Sequence, residues 1–152
     1  MRIAPVTLFC TVVLAAVGGI GAHAGDNADA EKELRKFRGT WRFESVEAGG
    51  KVQPGAAFKD MTVTFDGHKY VVKKGDDVIQ ACTQKLDPSK SPKTLDVTVT
   101  EGLNKGAVIL GIYEISADTL KVCFDPEGKK RPTQFKSASG SQTLVVHRRM
   151  KK

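Results

Sequence analysis

From Thr40 to Arg149 the chain is a succession of short runs in which apolar and polar residues alternate, each closed by a turn signal. Period-two alternation builds half-buried strands, and turn dipeptides at short intervals join such strands as antiparallel neighbours. Met61, Val63 and Phe65 alternate with Thr62 and Thr64, and Asp66-Gly67 then supplies the positive φ angles of a tight hairpin. Leu95, Val97 and Val99 alternate with Asp96, Thr98 and Thr100 in the same way. Eight strands are expected, near 40–47, 61–65, 68–73, 78–86, 95–100, 107–115, 119–124 and 143–149. The run 107–115 is apolar on both faces, so it packs against something outside the wall or lies near the centre of the core. Prolines and glycines make 87–92 a loop, and 101–106 reads as a hairpin loop. Asp125 to Gln142 is the longest irregular stretch, with one short extended piece around Thr133 to Lys136. Ahead of the strands, Asp29 to Arg38 reads as a short helix with Asp29 as N-cap and Leu34 and Phe37 on one face. The fold class is all-β: an eight-stranded antiparallel up-and-down barrel with a short N-terminal helix, favoured over a sandwich by the hairpin succession.

The first 24 residues are set apart from this pattern. A minimal basic start at Met1-Arg2, an apolar run from Ile3 to Ile20 and the small-x-small triplet Ala22-His23-Ala24 are the marks of a cleaved signal peptide, with cleavage after Ala24. Residues 25–30 then form a polar tether and 31–152 one barrel domain. No second apolar segment follows, so no membrane span is expected after cleavage, and the destination is the periplasm or the extracellular space. The 128 residues from Gly25 suffice to bury one core. They carry 23 basic against 17 acidic residues, a net +6 that is spread out rather than massed. Its densest points, Lys129-Lys130-Arg131 and His147-Arg148-Arg149, are not interleaved with aromatics, so a nucleic-acid surface is not expected.

Cysteine and histidine limit the chemistry further. Beyond the leader, Cys82 and Cys123 are candidates for one disulfide closing a loop of about 40 residues. In sequence order, however, they fall on strands that are not neighbours, and a bridge needs Cα atoms within about 7 Å. Two buried thiols are the alternative. His68 and His147 with two separated thiols have no metal-ligand spacing, so no metal site and no cofactor are expected. There is no Gly-x-Ser-x-Gly elbow, and the Gly102–Gly106 loop precedes no helix that could hold a phosphate. Catalytic residues are accordingly none, and the expectation is a protein that is not an enzyme.

Gly39-Thr40-Trp41 holds the only tryptophan at the head of the first strand. This stretch resembles the Gly-x-Trp signature of the lipocalin and calycin barrels, in which the Trp sits at the closed end and a basic residue late in the last strand packs over it. Arg148 or Arg149 is placed to be that partner; Gly39, Trp41 and Arg148 form the expected structural plug. A broader likeness is to a group of small uncharacterised lipocalin-like domains of planctomycete type. It is carried by 39–41, 86–90, 92–96, Gly111-Ile112-Tyr113-Glu114, 118–124, Arg131-Pro132-Thr133 with Phe135, and 140–144. The resemblance spans Phe37 to about Arg149 and implies an exported lipocalin-like β domain without an established activity. Cys82 lies outside the shared stretches, which weighs against a disulfide partner for Cys123.

Eight strands enclose room for packed side chains or for one small ligand. The functional expectation is a non-enzymatic barrel, monomeric, binding a small apolar or amphipathic ligand at its mouth through Phe43, Phe65, Tyr70, Tyr113 and Phe124. The alternative is an interaction or inhibitor domain that meets an envelope protein through the outer loop 125–142, because long polar loops are often functional.

Overall fold

The computed structural model describes residues 24–137 and 140–152. Apart from Ala24, the expected leader lies outside the described residues. One helix, α1 (Ala24–Phe37), precedes nine strands: β1 (Gly39–Ala48), β2 (Lys51–Pro54), β3 (Met61–Asp66), β4 (Lys69–Lys74), β5 (Asp77–Asp87), β6 (Lys93–Gly102), β7 (Val108–Ile115), β8 (Thr119–Asp125) and β9 (Thr143–Arg149). All pairings are antiparallel. The order β1-β3-β4-β5-β6-β7-β8-β9 returns to β1 through a β1–β9 pairing, which closes an eight-stranded barrel. Closure leaves no unpaired edge around the wall.

The ninth strand was not expected. β1 is long enough to pair with β3 through Gly39–Arg42 and with β2 through Ser45–Ala48, on the same edge. Every residue of β2 is exposed, so it has no buried face and no alternation to betray it. A 3-10 turn (Gly55–Phe58) then returns the chain to β3, and Phe58 packs its ring 5.7 Å from that of Phe43.

α1 also differs from expectation. It takes in the stretch read as a tether, and Asp29 lies within it rather than at its cap. The physical reason is propensity: Ala28, Ala30, Glu31 and Lys32 are good helix formers and nothing before Asp29 stops the helix. Its inward stripe is half-buried Ala30 with buried Glu33, Leu34 and Phe37, the i, i+3, i+4, i+7 face of an amphipathic helix. That face covers one end of the barrel, called here the closed end. The β3–β4, β5–β6 and β7–β8 turns lie at the same end, whereas the β1–β2, β4–β5, β6–β7 and β8–β9 connections surround the other.

Two layers of apolar residues result. Inside the wall, Leu34, Phe37, Trp41, Phe65, Leu95, Val97, Val99, Tyr113 and Leu120 belong to one buried cluster. Outside it, Ile112 and Cys123 are almost fully buried although they alternate with inward neighbours. What covers them is the stretch 131–137, whose Pro132 and Ser137 are also fully buried. The two-faced apolar character of 107–115 is thereby explained. Thr133–Lys136 forms no strand; its place is taken by an irregular run laid along the wall.

Candidate functional site

The closed end is built around Trp41 and Arg149. Helix termini leave their last carbonyls without intrahelical partners. Here Trp41 Nε1 donates to Phe37 O at 2.8 Å, while Arg149 donates through Nη2 to Lys36 O at 2.6 Å and through Nη1 to Arg38 O at 2.7 Å. The same guanidinium donates through Nε to Ala117 O of the β7–β8 turn and stacks over the Trp41 ring, 4.1 Å from its centroid. A positive charge at a helix C-terminus is favoured by the helix dipole, and over an indole face by the ring quadrupole. Gly39 has φ +121°, and a Cβ there would stand 3.3 Å from Arg149 Nη1, which accounts for the glycine two residues before Trp41. The plug partner is therefore Arg149, not Arg148. β9 alternates, so Arg148 points outward, where it meets Glu44 at 2.8 Å.

Glu33 completes this end. It accepts from Tyr113 Oη at 3.1 Å, from Lys93 at 3.1 Å and from Lys36. Burial works to raise its carboxyl, but the two lysines outweigh burial and hold the net shift downward. The Tyr113 hydroxyl is raised by its own burial first and by Glu33 second. Tyr113 thus belongs to the foundation: its ring lies 5.2 Å from Phe37 beneath the cavity and does not line it, so it is removed from the expected ligand contacts.

Above Phe37 the barrel is hollow. A cavity of about 360 Å³ is lined from the inner face of every barrel strand, and Phe37 forms its floor. Phe43, Phe65, Tyr70 and Phe124, four of the five expected contacts, all line it. Gly111 lies in its wall where a Cβ would come 3.0 Å from Cys123 O and 3.2 Å from Leu95 Cδ2 and Phe124 Cβ, so glycine lets these groups pack closely. No lining residue is Asp, Glu, Lys or Arg. The polar ones are Tyr70, Gln80, Gln84, Asn104 and His147, with Gln80 and Asn104 toward the mouth. Around that mouth stand exposed apolar side chains: Val52, Val78, Ile79, Leu103 and Val108.

Gln84 and His147 were missed as site residues, although strand parity marks them. Gln84 shares a face with Cys82 and Leu86, and His147 shares one with Val145 and Arg149, so both must point inward. His147 sits against Phe43, ring centroids 4.8 Å apart, and burial pushes its imidazole down to about 4, leaving it neutral at pH 7.

The same parity settles the cysteines. Cys82 pairs across β4–β5 with Tyr70 and faces the interior. Cys123 lies between inward Val122 and Phe124, faces outward, and its thiol donates to Lys136 O at 3.4 Å. Both are free thiols on opposite faces of the wall, so the candidate disulfide is not formed. Burial raises both thiols above their ordinary range, which makes them poor nucleophiles.

The 126–142 loop is held down at several points. Arg131 donates to Leu95 O, to Gly111 O and to Asp96, crossing β6 and β7. Asp125 accepts from the backbone N–H groups of Glu127, Lys129 and Lys130 and from the Ser141 hydroxyl. The Ser141 bond is the largest of the effects that keep its carboxyl below the usual range. A groove of about 500 Å³ lies beside Arg131 on the outer face, but its one close charge pair, Arg131–Asp96, is already satisfied. Among the described residues no group of three or more His, Cys, Asp or Glu side chains could hold a metal ion, and no helix is long and apolar enough to cross a membrane. No family model, curated protein or solved structure matches the chain.

Proposed function

We propose that this chain is an exported, non-enzymatic, lipocalin-like binding protein that takes a small apolar or amphipathic molecule through the open end of its barrel. One observation carries the reading: an uncharged cavity of about 360 Å³ inside a closed wall, sealed at one end by α1 and the Trp41–Arg149 pair. As a dry void such a space would cost about 9 kcal/mol at the usual ~24 cal/mol per Å³, comparable to the whole stability of a small domain. Open at its mouth, the space holds water or a guest, and its mostly apolar lining favours the guest. Its volume falls in the range of small-molecule sites, and its lining has their composition, mostly apolar with a few polar groups. The apolar side chains at the mouth fit passage of an apolar guest. The leader pattern of residues 1–24 supports export.

An interaction domain working through loop 125–142 is less well supported. Its most buried residues are spent on the barrel wall, and Lys129, at its tip, is paired with Glu127 at 2.7 Å. Native mass spectrometry of protein isolated from its natural source tests the leading reading. A retained adduct that is lost on denaturation is expected; a bare polypeptide mass, together with failure of small apolar compounds to bind, would contradict it.

A further inference from the structure

Two polar side chains stand inside the cavity with hydrogen-bonding atoms that nothing in the described protein satisfies. Gln84 is 3% exposed and His147 6% exposed. Both amide atoms of Gln84, Oε1 and Nε2, lack a partner, as does His147 Nδ1. Buried polar groups in folded proteins are nearly always paired, so three unpaired atoms on two residues that line one cavity call for a partner, reached by rotation of the two side chains because none of the three has surface open to the cavity as it stands. β5 and β9 are separated by three strands in either direction around the wall, which places Gln84 and His147 on opposite sides of the interior.

We propose that the cavity is shaped for an uncharged molecule about two rings in size that bears an amide or hydroxyl group, held by Gln84 on one wall and His147 on the other. This rests on the binding-protein reading above. Size follows from volume: a cavity of about 150 Å³ takes one benzene, and this one is more than twice as large. The head group follows from the atoms. A glutamine amide offers a donor and an acceptor side by side, and the unpaired His147 Nδ1 donates or accepts according to the tautomer, so the complementary group both donates and accepts. The absence of charge follows from the lining, which has no acid, lysine or arginine to compensate an ionised head group stripped of water. The other titratable groups facing the interior, Tyr70 and Cys82, are raised by burial and stay neutral as well.

Isothermal titration at pH 7.5 with three probes on one skeleton, naphthalene, 2-naphthamide and 2-naphthoate, tests this. The full barrel is expected to bind 2-naphthamide about tenfold or more tightly than either of the others, the difference of one well-made buried hydrogen bond. In Gln84→Leu, and separately in His147→Phe, the preference over naphthalene should shrink by about tenfold while naphthalene itself still binds. Naphthalene binding as well as the amide, 2-naphthoate doing so, or a preference intact in both variants would overturn this inference alone. Failure of all three probes would overturn the binding-protein reading with it.

Discussion

Arg149 joins four parts of the closed end: the Trp41 ring, the carbonyls of Lys36 and Arg38, and the Ala117 carbonyl of a distant turn. Its neighbour Arg148 makes one exposed ion pair with Glu44. Arg149→Ala is therefore predicted to lower stability by about 2 kcal/mol or more, since several charge-assisted bonds go together, and Arg148→Ala by less than about 1 kcal/mol. Trp41→Ala should cost about 3 to 5 kcal/mol as a buried aromatic truncation. Urea unfolding of the three variants checks the order. Gln84 predicts the opposite sign: Gln84→Leu removes two unpaired buried atoms and should raise stability by about 1 kcal/mol in the protein free of ligand. His147 sets a pH dependence. Its pKa is about 4 folded against the ordinary value of 6.5, so between these values the unfolded chain binds a proton that the native state does not. Stability is thus unaffected by this group above about pH 6.5 and falls by on the order of 3 kcal/mol as pH drops toward 4. Comparing the pH profiles of the native protein and His147→Phe isolates that contribution; profiles that run parallel from pH 7 to 4 would contradict it.

The elements were legible in the sequence to the degree that they bury one face and expose the other. β3 and β6 each show alternation bounded by turn residues, β4 follows the Asp66-Gly67 turn, and the structure places all three within a few residues of expectation. β2 lacks a buried face, so pattern reading could not find it. α1 was foreseen by Leu34 and Phe37 but begins earlier, because composition alone gave no stop before Asp29. Four aromatic contacts of the cavity were legible as bulky inward residues; Gln84 and His147 were legible by strand parity alone, a signal overridden by the ordinary assignment of a polar strand residue to the outside. The 126–142 loop, read as a free surface element, is tied to the wall because Asp125 gathers three backbone N–H groups and a hydroxyl. Asp125→Ala should strip these acceptors and free the loop. Hydrogen exchange at Lys129 and Lys130 is expected to speed at least tenfold, with less change in the central strands, as local opening is separable from global unfolding.

At the scale of the whole molecule the design is a barrel wall covered on its outer face along β7 and β8 and a floor made by a helix. The outer face is covered by the long loop over Ile112 and Cys123, the closed end is built on Trp41 with Arg149, and most of the exposed apolar side chains, Val52, Val78, Ile79, Leu103 and Val108, stand around the mouth. Filling the interior with larger side chains would have made a more stable barrel. The central claim is that this space admits an apolar guest. Diffraction from crystals pressurised with xenon tests it most directly: the account predicts a xenon site inside the barrel bounded by Phe43, Val97 and Val122, and an interior closed by its own side chains, with xenon bound only elsewhere, would contradict it.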